Sequence, residues 1–401
     1  LNQIQIGGLL TAYQILSSIL IYLYKTTASG ETNKKVSELL EFYENQMALA
    51  SKIKRQGHEE EVGCKAELDR IIFSVNSDKG KEIELRNRIF NAARKTQFTN
   101  IYSRRIRDSL TLYRQHSALS TRHSALKFDM SFGNYGKSIG EFNSPGCIAA
   151  DKEGNLYVSD EMNYRIQKFN KDGKHILSFG GFGTIESKFK MPAGIALDKN
   201  EDILVSDWIN HRIQKFSPDG SFISCFGKYG SSDAEFNRPS RIIVDEEGCI
   251  YVADLGNKRI QKFNQDGKFI MSFRNEIFKE PFAIYISGSH DIIIGELSGD
   301  RMIVFNKDGD FIKSIGGEGA GDGEFMWIGT IAGDKDKDIY IADFWNSRIQ
   351  IFSDDLKFIS SFGKFGRGAG EFDCISSIAI TDEFLYACDY FNHRIQRFKF
   401  I

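Results

Sequence analysis

The chain has 401 residues with a formal net charge of −2, 41% hydrophobic and 26% charged residues, 37 Gly and 5 Pro. That length allows two or three domains and a sizeable core, and the mildly acidic balance of residues 127–401 argues against a surface coated with cations for generic phosphate binding while permitting a local basic patch. The charge is uneven: residues 1–126 carry 19 Lys and Arg against 13 Asp and Glu, whereas residues 127–401 carry 33 against 41.

In chain order, the first feature is Ile6–Tyr24, a run of nineteen residues without a charge. It is close to the length that crosses a bilayer. Gly7, Gly8, Thr11, Gln14, Ser17 and Ser18 interrupt it, no basic stretch precedes it, and no small-residue cleavage site follows it. It therefore reads as a buried or partner-facing amphipathic helix rather than a membrane span or a signal peptide. The start at Leu1 instead of Met reads as a fragment or a processed form.

Residues 32–118 contain no Pro, and Val36, Leu39, Leu40, Tyr43, Met47 and Ala50 recur at three- and four-residue steps. Leu85, Ile89, Phe90 and Ala93, then Ile101, Ile106, Leu110 and Tyr113, continue that helical period. Two or three long helices are predicted, with breaks at Gly57–Gly63 and Asn76–Gly80. Packed between two copies, they would form a coiled-coil homodimer.

From Lys127 the texture changes to short strands. Arg165, Arg212, Arg259, Arg301, Arg348 and Arg394 recur at separations of 47, 47, 42, 47 and 46 residues, and the text around five of them reads DxxNxRIQ. In one unit, Gly194–Leu197, Ile203–Ser206, Arg212–Phe216 and Ser221–Phe226 are predicted strands, joined by turns at Lys199–Asp202, Asp207–His211 and Pro218–Gly220. Four strands in a unit of this period make one blade of a β-propeller. The sixth unit ends after its third strand at Phe398–Ile401. Its missing fourth strand matches Phe128–Gly133, which stands ahead of the first unit. Pairing of these two segments would seal a six-bladed ring and remove an exposed sheet edge. The expected organisation is a helical region over 1–126 and a mainly β, six-bladed propeller over 127–401.

An Asp at the end of the second strand faces an Arg at the start of the third in Asp160/Arg165, Asp207/Arg212, Asp254/Arg259, Asp343/Arg348 and Asp389/Arg394. Blade four departs, with Glu296/Arg301, no Asn and a shorter unit. A catalytic group is needed once, whereas a pair repeated in every blade fastens the blade through charge-assisted hydrogen bonds. The intervening Asn is expected to bond its own turn backbone. Phe142, Phe189, Phe236, Phe325 and Phe372 read as inter-blade packing.

These units resemble NHL repeats over Lys127–Ile401. A helical region followed by such a propeller resembles the tripartite-motif proteins, in which RING and B-box zinc domains and a coiled coil precede it. No zinc-ligand cluster stands in residues 1–126, so the resemblance implies no ligase activity for this chain alone. In related NHL domains one face of the propeller binds single-stranded RNA or protein.

Ligand-face candidates are the side chains that vary between blades. The motif loops supply Tyr164, Trp208, His211, Lys258, Phe344, Trp345, Tyr390, Phe391 and His393. The inter-blade loops supply Tyr135, Lys137, Lys188, Lys190, Lys228, Tyr229, Arg238, Arg241, Lys364, Phe365 and Arg367. Rings interleaved with cations suit unstacked bases, and aromatic and Arg enrichment suits a protein interface equally well. The opposing reading is that Trp208, Phe344, Trp345 and Phe391 seal seams between blades. The alternative of a different class is a hydrolase or lyase with a metal on the central axis. His175, His211, His290 and His393 show no spacing that gathers three or four ligands, so neither cofactor nor metal is expected. Cys64, Cys147, Cys225, Cys249, Cys374 and Cys388 lack paired spacing and read as free, buried thiols of a cytoplasmic protein.

Overall fold

The computed structural model describes residues 126–274 and 276–401. Six four-stranded antiparallel sheets follow one another around a ring. Blade 1 comprises Pro145–Ala150, Leu156–Asp160, Arg165–Phe169 and His175–Gly180, and blade 2 comprises Pro192–Leu197, Ile203–Asp207, Arg212–Phe216 and Phe222–Phe226. Blade 3 is Pro239–Val244, Ile250–Asp254, Arg259–Phe263 and Phe269–Arg274. Blade 4 is Pro281–Ile286, Ile292–Glu296, Arg301–Phe305 and Phe311–Gly316. Blade 5 is Ile328–Gly333, Ile339–Asp343, Arg348–Phe352 and Phe358–Phe362. Blade 6 takes Ile375–Ile380, Phe384–Asp389 and Arg394–Phe400 from the end of the chain and Leu126–Phe132 from far upstream.

The six-bladed, mainly β architecture follows from how each unit distributes its apolar residues. In blades 1–5 the second strand is buried along its whole length, as in Ile203–Asp207 and Ile250–Asp254, because neighbouring blades cover both of its faces. Each third strand closes on a buried Phe, among them Phe169, Phe216, Phe263 and Phe352. Between blades 6 and 1, Phe142 packs with Ile148, Val158 and Phe169 on one side and with Ala379, Tyr386 and Ile395 on the other. The same cross-seam packing surrounds Phe189 and Phe236.

Ring closure has its own fastening. Phe128 lies opposite Phe398 and Phe132 opposite Ile395, with a bulge at Asp129. Bulging re-aims a side chain out of the ladder. Asp129 Oδ2 accepts from Arg397 Nε at 2.6 Å, Arg397 Nη1 donates to the Lys171 carbonyl of blade 1, and the guanidinium lies 4.3 Å from the Phe384 ring.

Ile6–Tyr24, the predicted helices of residues 32–118 and Cys64 lie outside the described residues. Among the described residues, no helix is long and apolar enough to cross a membrane. Five free cysteines are described; Cys147, Cys374 and Cys388 are buried, but Cys225 is exposed and Cys249 half-buried, because both stand where a blade meets solvent.

Candidate functional site

The loops between second and third strands emerge on the same face as the inter-blade loops, and the repeated motif ties the two sets together. In blade 1 the buried Asp160 carboxylate accepts from the Asn143 N–H at 2.7 Å, Asn163 Nδ2 at 2.9 Å, Arg165 Nε at 2.7 Å and Gln167 Nε2 at 3.2 Å. Arg165 Nη2 and Gln167 Nε2 then donate to the Glu141 carbonyl of the preceding loop, at 2.9 and 2.8 Å. Blades 2, 3, 5 and 6 form the same Asp–Arg pair at 3.3, 2.7, 2.8 and 2.7 Å. The Asn side chain bonds the Asp and the neighbouring loop rather than its own turn: Asn163 Nδ2 reaches the Gly136 carbonyl at 2.8 Å. Blade 4 keeps Glu296–Arg301 at 2.9 Å, the Lys279 N–H at 2.5 Å on the carboxylate and the bond from Arg301 Nη2 to the Ile277 carbonyl at 2.7 Å, without the Asn and Gln donors of the other blades.

The residue that follows the Asn, not the Asn itself, carries the left-handed backbone. Tyr164, His211, Lys258, Asp300, Ser347 and His393 all have φ between 51° and 59°. Four of them use the side chain to accept a backbone N–H of the next blade. His211 Nδ1 takes Arg238 N–H at 3.0 Å and His393 Nδ1 takes Ser144 N–H at 3.1 Å. Asp300 takes Trp327 N–H at 2.7 Å and Ser347 takes Cys374 N–H at 3.2 Å. Nδ1 of each histidine thus serves as the acceptor that caps a seam between blades. Burial, with Arg238 and Lys190 nearby, pushes the His211 ring down to about 4.

Residues just after the motif Asp ring the axis: Glu161, Trp208, Leu255, Leu297, Phe344 and Tyr390. Leu255, Leu297 and Phe282 form a buried cluster with Trp208 and Trp327, and Trp327 stacks on Phe344 at 4.1 Å. Phe344, Tyr390 and Phe391 are buried. They seal the ring instead of forming an exposed platform, because an apolar collar must cover the inner ends of six loops. Trp345 packs with Phe391 at 6.4 Å. Glu161 is the odd member: Tyr390 donates to its carboxylate at 2.9 Å, and a Cβ on Gly146 would stand 1.9 Å from it. Burial pushes this carboxyl up to about 7 against the pull of Arg241 and Tyr390. Burial and the adjacent Asp389 likewise raise Asp373 to about 7.

Arg241 corrects the expectation most sharply. It lies on the inner strand of blade 3, turns into the axis and is 5% exposed, so it does not belong to the ligand face. Three further cations on that face are engaged through their side chains. Lys188 Nζ donates to the Gly180 carbonyl at 2.7 Å, Lys228 pairs with Glu235 at 3.4 Å and Lys364 with Glu371 at 3.2 Å. The backbone N–H of Lys190 caps Asp207 at 3.0 Å, that of Arg367 meets Glu371 at 3.1 Å, and Lys258 and Lys137 are exposed.

What the face does expose is an arc of rings on three successive inter-blade loops. Tyr135 is 48% exposed and stacks on His393 at 4.9 Å; Phe182 is 66% exposed and meets Tyr164 at 5.0 Å; Tyr229 is 65% exposed and meets His211 at 4.8 Å. Ile139 and Ile185 stand exposed on the same loops. Glu318 takes the ring's place in the loop between blades 4 and 5 and pairs with Phe325 as Tyr135 pairs with Phe142. Phe365 continues the arc between blades 5 and 6 at 38% exposure. Phe182, Ile139 and Ile185 are not among the residues expected from the sequence, although Phe182 falls two residues after the blade-ending Gly180, as Tyr135 and Tyr229 follow Gly133 and Gly227.

His175 and His290 stand apart from this face. His175 bonds Ser178 at 2.7 Å on the outer strand of blade 1, and His290 sits in the turn before Ile292–Glu296. Two side-chain groups have ligand atoms within 4.8 Å of one another, Asp245/Glu247/Cys249 and Asp151/Glu153/Glu201. Both lie in turns between first and second strands, at the opposite end of the blades, so they share no site with the arc.

Residues 275–349 and 328–400 match a family described as a 6-bladed beta-propeller, and residues 142–169 and 189–216 match the NHL repeat. No curated protein matches. Among solved structures, the chain is similar to a protein of unknown function from Bacteroides thetaiotaomicron at 14% identity, covering 69% of this chain and 76% of that one with a TM-score of 0.55. It is also similar to a gluconolactonase from Xanthomonas campestris at 12% identity, covering 70% and 99%, with a TM-score of 0.50. A virginiamycin B lyase from Staphylococcus aureus matches at 13% identity, covering 65% and 96%, with a TM-score of 0.49. The chain carries NHL repeats in a six-bladed β-propeller, and likeness at these identities speaks to fold alone.

Proposed function

We propose that the protein is a non-catalytic recognition module that docks a protein partner through the arc formed by Tyr135, Ile139, Phe182, Ile185 and Tyr229. The observation that carries this reading is the exposure of five large apolar side chains on three adjacent loops of one face. Large apolar side chains exposed together on one face mark interaction sites, and rings with aliphatic neighbours suit protein better than nucleic acid. Single-stranded RNA is the less favoured ligand because Lys188 and Arg241 are held by backbone carbonyls and Lys228 and Lys364 pair with Glu235 and Glu371, so fewer of the candidate cations remain for phosphates, Lys137 and Lys258 among them. A hydrolase or lyase with an axial metal is disfavoured because a guanidinium already fills the axis and would repel the ion. A place in the cytoplasm, and a paired helical stem over residues 32–118 that presents two arcs together and so raises avidity, belong to the same proposal.

The test compares wild type with the triple variant Tyr135→Ser, Phe182→Ser, Tyr229→Ser. All three rings are surface groups, so Tm stays within about 2 °C of wild type. Partner proteins that co-purify with wild type are lost from the variant. Random-sequence single-stranded RNA serves as the competing probe at about 50 and about 200 mM salt. Tight RNA binding that collapses with salt and with the variant, while protein capture is unchanged, overturns the reading.

A further inference from the structure

In an inner strand, the edge that faces the ring axis has no further strand to pair with, so its carbonyls need another donor. The second residue of each inner strand is Gly146, Ala193, Ser240, Phe282, Gly329 or Ser376. Their carbonyls form one level of the ring, and every one has a partner. Ser206 Oγ donates to the Ser240 carbonyl at 2.5 Å and Ser240 Oγ to that of Phe282 at 3.0 Å. The remaining four are all served by Arg241. Its Nε donates to Gly329 at 3.1 Å, Nη1 to Ala193, and Nη2 to Gly146 at 2.9 Å and Ser376 at 2.6 Å. The guanidinium also lies 5.1 Å from the Phe282 ring. One side chain of blade 3 thereby touches all five other blades.

We propose that this ring of carbonyls is a guanidinium-binding site that the chain occupies with its own side chain, so that Arg241 acts as a tethered ligand locking six blades to a common centre. The chemistry selects a planar fork over a point charge: four acceptors meet donors in one plane, which an ammonium with three rotating donors cannot reproduce. Converging carbonyl oxygens supply the negative potential that a buried cation requires.

Arg241→Ala removes the ligand beyond Cβ and leaves a gap the shape of ethylguanidinium. The expected result is a fall in Tm of about 10 °C, since four buried carbonyls lose a charged donor. Ethylguanidinium then binds the variant at one equivalent per chain by calorimetry and restores part of the lost Tm. Ethylammonium restores none, and wild type gains nothing from either compound. If Arg241→Ala does not fold unaided, refolding yield with and without ethylguanidinium gives the same readout. Recovery that depends on the guanidinium supports the site, and failure of ethylguanidinium to bind or to promote refolding overturns it. Arg241→Lys is the second variant: it loses several degrees of Tm if the planar fork matters, and wild-type stability in that variant overturns the proposal.

Discussion

Replacing Asp254 by Ala should cost far more than the equivalent change at Glu296, because the two carboxylates hold different numbers of partners. Asp254 Oδ1 accepts from the Asn237 N–H at 2.7 Å, and Oδ2 accepts from Arg259 Nε at 2.7 Å, Asn257 Nδ2 at 2.9 Å and Gln261 Nε2 at 3.1 Å. Arg259 is 0% exposed, so Asp254→Ala leaves a buried guanidinium with only the exposed Asp233 carboxylate, 3.9 Å from Nη1, as counter-charge. Losing one partner of such a pair costs about 3–5 kcal/mol, which for a domain of this size lowers Tm by about 10 °C. Among the described residues, Glu296 accepts from Arg301 Nε and the Lys279 N–H, and the Arg301 side chain is 27% exposed. Water can resolvate that cation, so Glu296→Ala should cost about 1–2 kcal/mol. Urea unfolding followed by circular dichroism measures both. Equal losses, or a loss below about 1 kcal/mol for Asp254→Ala, would refute the view that the motif is the fastening between blades.

Three further outcomes follow from the same contacts. Burial raises the Glu161 carboxyl from 4.5 to about 7, so the unfolded chain ionises first. Stability contributed by the neutral acid is complete below pH 4.5 and is lost as pH rises to 7; Glu161→Gln should match wild type at pH 4 and exceed it at pH 8 in thermal melts, by no more than about 3 kcal/mol. His211 has the opposite sign. Its ring pKa falls from 6.5 to about 4, so its contribution is complete above pH 6.5 and is lost as pH falls towards 4; His211→Ala should be less stable at pH 7.5 and should flatten that part of the pH profile. At the ring closure, Arg397→Ala removes the bond to Asp129 at 2.6 Å and the stack on Phe384. Amide hydrogen exchange should then speed up in Leu126–Phe132 and Arg394–Phe400 before it does so in blades 2–4; uniform acceleration would contradict a local latch.

The propeller was legible because a period in the forties, an Asp before each motif loop (Glu296 in blade four) and an Arg after it write the same unit six times. Local spacing carries that information. It does not carry what happens across the axis or between blades. Arg241 stands three residues after Arg238 in sequence, yet the inner strand begins at Pro239 and carries Arg241 to the axis. His211 and His393 looked variable and hence available. Their position needs a side-chain acceptor only because a neighbouring blade brings an N–H against it, and His, Asp and Ser all meet that need. Aromatic residues of the motif loops were similarly ambiguous: Phe344 and Tyr390 are consumed by the collar, whereas Tyr135 and Tyr229, on the inter-blade loops, remain exposed. Comparing the six units at equal distance from each blade-ending Gly would have added Phe182 to them.

The measurement that bears most directly on the recognition face is a photo-cross-linking scan with one aromatic probe placed in turn at Tyr135, Phe182, Tyr229, Glu318 and Phe365, the same loop position around the rim. Discrete protein adducts are expected at Tyr135, Phe182 and Tyr229, with none at Glu318. Adducts confined to Glu318, or sensitive to ribonuclease at every position, would contradict the account.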